Sequence, residues 1–524
     1  MQSYSLTVNK FLDHAAKWHG HACIVSSSPA QGVTRTTYTE LREQSLLVSG
    51  GLLARGLKKG DRIATLAWNT RDHLALYYAA MGAGLVCHTL NPRLSVSQLS
   101  SMVNEAGDRW IAVGEGLQPL LQEILPVCPS IEAILLLDGQ KTDSPSSGKY
   151  PQWILEEFIE TFGRETCWGD FDEETPAGLC YTSGTIGEPR GVLYTHRSNY
   201  LHTLRTLQAD AFAITAQDAV LVAVPMFHAN GWGLPFAAPA VGAKMVLPGR
   251  HMEPAHLKTL IVNESVTVAA AVQTVWLGLV EHLESEGGEF PSLKRVVVGG
   301  SHCPDAIVAR IEDRLGVLVQ TSWGMTELSP LGTIMPLDAP HVSGPRGSGR
   351  PPLGLDLKLV GADGFALSPQ RNIIGRLRVK GASVTDRYYG DDRSALDAEG
   401  YFDTGDLASI DDAGNLTIAG RTKDLIKSGG EWINPREIEE IVSSHPGVGL
   451  VAVIGRSHQK WGERPVLIVE PLKSHSLDSC ALLESLRGKV PDWWIPDQVI
   501  IVERIPLAGT GKLDKKRLRR EFGS

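Results

Sequence analysis

The densest run of groups able to do chemistry is Tyr181-Thr182-Ser183-Gly184-Thr185-Ile186-Gly187-Glu188-Pro189-Arg190-Gly191. Gly184 and Gly187 free the backbone to turn its amides toward an anion, and the hydroxyls of Thr182, Ser183 and Thr185 stand around them. Arg190 adds a planar fork able to meet several phosphate oxygens. The Gly-Lys-Ser/Thr ending of a Walker loop is missing. On residue types alone two readings stand: a phosphate loop, and an ordinary Ser/Thr-rich turn.

The elements that would position this run form an alternating pattern. Residues 177–181 read as a buried strand leading into it. Upstream, helices are predicted over 38–56, 72–82 and 95–106, and strands over 62–66, 84–89 and 110–113. Residues 139–152 are polar and read as a surface loop. Downstream, 219–225 and 295–298 read as strands, the second stopping at Gly299-Gly300. Residues 303–315 read as a helix with Pro304 near its start. Short alternating segments over 357–385 predict a small β unit. The fold class is therefore α/β.

At 524 residues the chain exceeds one core, since single cores rarely grow beyond about 300 residues. A boundary falls near Gly420, giving a large domain over 1–421 and a small α+β domain over 422–524. In the small domain, helices are predicted over 435–444 and 476–490, and strands over 448–455, 465–470 and 499–502.

Composition removes several function classes. The net charge of -9 is spread along the chain, without the clustered positive charge of a nucleic-acid binder. None of the 7 cysteines has CxxC spacing, which argues against a disulfide framework or zinc cluster and for a reducing compartment. Residues 1–10 lack a basic patch followed by an apolar run, so neither a signal peptide nor a transmembrane segment is expected there. The expected location is cytoplasmic.

Further motifs follow the loop in order. They are Thr321-Ser322-Trp323-Gly324-Met325-Thr326-Glu327, Tyr401-Phe402-Asp403-Thr404-Gly405-Asp406, Gly420-Arg421-Thr422-Lys423-Asp424, and a last stretch holding Gly511-Lys512. With the loop they resemble the adenylate-forming (AMP-binding) superfamily of acyl-CoA synthetases, aryl-CoA ligases, nonribosomal adenylation domains and luciferases. That family's loop usually reads YTSGTTGxPKG. Arg190 replaces its Lys, keeping the charge but not the shape. Ile186 replaces a Thr and brings no hydrogen-bond donor.

The resemblance implies an enzyme that couples a carboxylic acid to coenzyme A with ATP and Mg2+. By it, Thr182, Ser183, Gly184, Thr185, Gly187 and Arg190 hold the ATP phosphates. Trp323 and Gly324, facing Gly299, Gly300 and Ser301, bind adenine. Thr326 contacts the α-phosphate, and Glu327 holds magnesium. Asp406 takes the ribose hydroxyls, with Arg421 near ribose and phosphate. Lys423 is the hinge of a mobile C-terminal domain, and Lys512 meets the carboxylate and α-phosphate in the first step. Lys427, Gly429, Gly430 and Trp432 resemble the acyl-CoA synthetase domain junction and point to coenzyme A, as does the stretch 460–465.

Residues 226–233 resemble the acyl-pocket entry of medium-chain and methylthiopropionate CoA ligases. That implies a gating His228 and an apolar wall drawn from Trp232, Val272, Trp276 and Met325. Gln273 stands where the family commonly has proline, and His302 where it has a small residue. The acid is then a short or medium fatty acid, a thioether acid or an arylalkanoate. Two rival readings share the nucleotide site: transfer of the acyl group to an amine or carrier protein, and a nucleotide-binding protein with weak turnover. Homodimers are common in the family, and the sequence shows no diagnostic interface.

Overall fold

The computed structural model describes residues 1–28, 32–139, 150–182, 189–337, 346–472, 475–509 and 511–523. Among these residues the strands form four sheets. The first has eight strands, in the order Leu331–Ile334, Leu318–Gly324, Arg295–Gly299, Val268–Val272, Ala219–Val222, Lys244–Leu247, Cys23–Ser28 and Gly32–Thr37. The second has seven, in the order Gln152–Ile154, Ala133–Leu136, Trp110–Val113, Arg62–Leu66, Val86–Leu90, Pro176–Tyr181 and Gly191–Thr195. Inner strands run parallel, with Val268 level with Arg295 and Arg295 level with Leu318. Antiparallel strands close three edges: Leu331–Ile334, Gly32–Thr37 and Gly191–Thr195.

Short apolar runs became inner strands because both faces are covered. The helix Arg71–Gly82 is buried along nearly its whole length and sits in a core that draws on both large sheets, including Ile63 and Cys87 from one and Val220 and Ala270 from the other. Its buried phenols are satisfied across that core: Tyr77 Oη donates to Met226 O, and Tyr78 Oη donates to Pro235 O at 2.9 Å. Capping boxes at Thr37 and Ser95 start the helices Tyr38–Ala54 and Val96–Ala106.

A four-stranded antiparallel sheet follows: Leu355–Val360, Gly375–Gly381, Phe402–Ile410 and Leu416–Arg421. This is the small β unit. A 3-10 turn, Thr422–Asp424, leads into a five-stranded sheet that begins with Ile426–Ser428 and carries the helices Pro435–Ser443 and Lys515–Phe522. The fold is thus α/β, with a large N-terminal and a small C-terminal part. Among the described residues no helix is long and apolar enough to cross a membrane.

Several expected elements differ in extent. The expected helix over 476–490 is helical only at Ser479–Glu484, because Gly488 turns at φ 71° and Arg487 bridges to Val490. The strand from Ala219 stops at Val222, where the Asn69 amide donates to the carbonyls of Val222 and Val224, both at 2.8 Å. The strand from Val448 continues to His458, because its antiparallel partner pairs with it out to Gly462. Of the expected loop over 139–152, residues 140–149 lie outside the described residues, and Gln152 already begins a strand.

Candidate active site

Strand ends gather the site. Pro176–Tyr181, Val268–Val272, Arg295–Gly299 and Leu318–Gly324 finish at the segments singled out above, as expected of ligand sites in open α/β sheets. Thr182 N donates to Arg190 O at 2.9 Å, and Arg190 N donates to Thr182 Oγ1 at 3.2 Å. Thr182 and Arg190, which flank residues 183–188, are thus tied to each other. Ser183, Gly184, Thr185, Ile186 and Gly187 lie outside the described residues.

Beyond the loop, Arg190 lies over the Tyr388 ring, with Cζ 3.7 Å from its centroid, and donates from Nη2 to Tyr388 Oη at 3.1 Å. Tyr388 Oη donates to Glu327 Oε1 at 2.8 Å. Burial, and then the Glu327 charge, push the Tyr388 phenol far up, so it remains a donor. Glu327 is only 7% exposed, and its backbone carbonyl accepts from Thr385 N at 2.8 Å. Tyr194 Oη donates to Thr326 O at 2.8 Å. The remaining Glu327 oxygen, Oε2, is a hard donor of the kind magnesium takes, one or two carboxylates being enough when phosphates complete the shell.

Trp323, Asp406 and Arg421 are equally connected. Trp323 is 9% exposed, and its Nε1 donates to Asp406 Oδ2 at 2.8 Å. Arg421 Nε stands 3.3 Å from Asp406 Oδ1, and the two residues are opposite each other on adjacent strands. Burial raises the Asp406 carboxyl, opposed by Arg421, the Trp323 hydrogen bond, Lys512 and Lys423. A methyl on Gly324 would meet Pro330 O at 2.3 Å, so the strand here can carry no side chain.

Lys512 reaches this site from the small domain. Thr274 Oγ1 donates to Gly511 O at 3.0 Å, and Arg93 Nη1 donates to Gly509 O at 3.3 Å. A methyl on Gly300 would lie 3.2 Å from Lys512 Cε, 3.3 Å from Val272 Cγ1 and 3.7 Å from Trp232 Cζ2. One on Gly299 would lie 3.0 Å from Trp232 Cη2. The bare backbone at 299–300 is what admits both side chains. Burial, and then the Arg421 charge, push the Lys512 ammonium down to about 8, against the pull of Asp406 and Glu327.

Residues 229–233 have an unusual backbone. Ala229, Asn230, Gly231, Trp232 and Gly233 all have positive φ, from 45° to 77°. Each non-glycine residue in a left-handed turn costs roughly 1–2 kcal/mol. The turn sets Trp232 against Gly299 and Gly300. Burial, and then the Lys512 charge, push His228 down to about 3, so His228 is neutral at physiological pH.

A family model described as AMP-binding enzyme matches residues 11–389, and one described as AMP-binding enzyme C-terminal domain matches residues 437–512. The chain belongs to the AMP-binding enzyme family. A medium-chain-fatty-acid–CoA ligase of Ectopseudomonas oleovorans is 41% identical over 532 residues, spanning 100% of this chain and 97% of the relative. A 3-methylmercaptopropionyl-CoA ligase of Ruegeria lacuscaerulensis is 40% identical over 531 residues, spanning 100% and 98%. The ATP-bound structure of MatB from Rhodopseudomonas palustris superposes with a TM-score of 0.86 at 25% identity, covering 99% of each chain.

Not every residue anticipated for this AMP-binding enzyme's site lies together. Trp276 was expected in the acyl-pocket wall, but its indole is in the core and donates from Nε1 to Val297 O at 3.4 Å. It shares a helix face with Leu279, Val280 and Leu283, and that i, i+3, i+4, i+7 spacing was the available signal. Gln273 is buried as the first residue of the same helix, and Met325 packs against the apolar cluster that includes Trp323. Ser301 follows Gly300 and is half-buried. Burial and the Arg421 charge push Lys423 down to about 8.

Lys427, Gly429, Gly430 and Trp432 form an exposed hairpin of the small domain. Gly429 and Gly430 turn at φ 61° and 94°, Gly429 N donates to Trp461 O at 2.8 Å, and Lys427 Nζ lies 5.6 Å from the Trp432 ring centroid. Sequence reasoning missed Tyr388, Tyr194, Thr274 and Arg93. Each acts through contacts more than 60 residues away in the chain, so no local pattern announces it.

Proposed function

We propose that this AMP-binding enzyme is an acid–thiol ligase that adenylates a carboxylic acid and passes the acyl group to coenzyme A. The observation that carries this reading is the placement of Lys512 over Gly300, beside Trp232 and electrostatically coupled to Asp406 and Glu327.

In the first half-reaction a carboxylate oxygen bonds to the α-phosphorus of ATP, the bond to the bridging oxygen breaks, and pyrophosphate leaves. Trp323 and Gly299–Ser301 flank adenine, Asp406 accepts from the ribose hydroxyls, and Arg421 lies beside them. Thr182, Ser183, Gly184, Thr185, Gly187 and Arg190 hold the phosphates. Thr326 contacts the α-phosphate, and Glu327 would hold magnesium, which when bound neutralises phosphate charge. Lys512 supplies a cation where negative charge grows, and no acid–base triad is needed. His228, being neutral, adds no competing charge.

In the second half-reaction the coenzyme A thiolate bonds to the acyl carbon, and AMP leaves with the electron pair. The small domain pivots at Lys423, withdrawing Lys512 and presenting the Gly429–Gly430 hairpin, whose bare backbone suits the narrow pantetheine chain. Trp232 and Val272 flank the acyl group, with Gln273 and Met325 adjoining. The names of the relatives favour a medium-chain fatty acid or a thioether acid.

The test is a panel of carboxylic acids incubated with ATP, magnesium and coenzyme A and scored by thioester mass. An acyl-CoA product supports the reading. Acid-dependent pyrophosphate exchange without any thioester would move the acyl acceptor to an amine or carrier protein. No exchange with any acid would leave a nucleotide-binding protein.

A further inference from the structure

His302 directly follows the nucleotide wall Gly299-Gly300-Ser301, yet its ring faces the small domain. Its Nδ1 lies 2.6 Å from Arg436 Nη2, and its Nε2 is hydrogen-bonded to Glu440 Oε2. A guanidinium can only donate, so Nδ1 accepts and Nε2–H donates. Both partners belong to the helix Pro435–Ser443 and stand one turn apart on it.

The contact continues on both sides. Glu440 Oε1 accepts from Asp305 N at 3.0 Å, at the start of the helix Asp305–Leu315, where a carboxylate is favoured by the helix dipole. Both Asp305 carboxylate oxygens in turn accept from Arg346 N at 3.1 Å. In the small domain Glu439, beside Glu440, holds Lys515 Nζ at 2.5 Å from its Oε1. Lys515 is three residues beyond Lys512. One helix thus grips His302 on the nucleotide side and braces the segment that carries Lys512.

We propose that His302 is a positioning residue for adenylation, which together with Arg436 and Glu440 seats the small domain so that Lys512 stands over Gly300. This rests on the reading of Lys512 given above. It assigns a purpose to a histidine where the family has a small residue. The seat has to release for the second half-reaction, and its polar, partly exposed make-up suits a reversible contact. His302 and Glu440 side chains are 25% and 33% exposed.

The test measures pyrophosphate exchange, and separately thioester formation from preformed acyl-adenylate, in the wild type, His302→Ala, Glu440→Gln and the double variant. Each single change should lower kcat for exchange about tenfold, with KM for ATP and the thioester step both within about twofold of wild type. The double variant should be no slower than the slower single one, because both changes remove the same contact. His302→Gln, whose amide offers an acceptor and a donor, should recover part of the rate.

Equal loss in both half-reactions, or unchanged exchange, would overturn the proposal. So would a loss confined to KM for ATP in His302→Ala with Glu440→Gln silent, since His302 would then only line the adenine site. Absence of exchange in the wild type would instead remove the functional reading on which the proposal stands.

Discussion

Tyr388 donates to Glu327 Oε1 at 2.8 Å while the Arg190 guanidinium lies over its ring. One phenol therefore joins the end of the phosphate loop to the carboxylate assigned to magnesium. Tyr388→Phe would keep the ring under Arg190 and remove only the hydroxyl. A hydrogen bond to a charged group contributes about 1.5–3 kcal/mol. The expected outcome is a rise of about tenfold in the magnesium concentration needed for half-maximal pyrophosphate exchange. ATP binding without magnesium, read by calorimetry, should change little. An unchanged magnesium requirement would show that Tyr388 only packs.

The Lys512 ammonium, held down to about 8, gives the first half-reaction a pH limit. The cation is present below that value and lost above it, so single-turnover adenylation should fall as pH rises through about 8. Stability runs the other way. Between about 8 and the ordinary lysine value the unfolded chain binds more protons than the folded one, so this group's contribution to stability increases with pH across that window. A rate that fell while thermal stability held would separate the two effects. A rate flat from pH 7 to about 9 would show that the working Lys512 ammonium is not held down to about 8.

Gly300 turns at φ 83° with Lys512, Val272 and Trp232 around the place a methyl would take. Gly300→Ala should combine a backbone cost of roughly 1–2 kcal/mol with displacement of Lys512. Exchange should fall by about tenfold or more, and the melting temperature by a few degrees. Gly316, at φ 65° with open space around it, is the matched control. Gly316→Ala should lower the melting temperature similarly and leave exchange intact.

Ile186 stands where the family carries a hydroxyl. Ile186→Thr should raise the adenylation rate modestly by restoring a donor to the phosphate loop. No change in any kinetic constant would mean that the side chain at 186 only packs.

Much of this arrangement was legible in the chain because its signals are local. The apolar runs at 62–66, 110–113 and 295–298 became buried parallel strands, and the glycines after Val298 marked the strand end where the site forms. The helices expected from 38 and 95 start at Tyr38 and Val96, where Thr37 and Ser95 cap them. What escaped depends on distant pairing. His302 and Glu440 are 138 residues apart, and Tyr388 and Glu327 are 61 apart. The direction of the Trp276 ring is set by helical phase, which turns it into the core with Leu279 and Leu283, and residue type alone does not show that. The left-handed turn at 229–233 was equally hidden, since Ala229, Asn230 and Trp232 adopt conformations that glycine alone would advertise.

A cation carried by the small domain should serve the first half-reaction alone. The direct measurement compares Lys512→Ala with wild type in acyl-adenylate formation and in thioester formation from supplied acyl-adenylate. Adenylation should drop by about a hundredfold or more, while thioester formation stays within a few-fold. Matched losses in both steps, or adenylation at the wild-type rate, would contradict it.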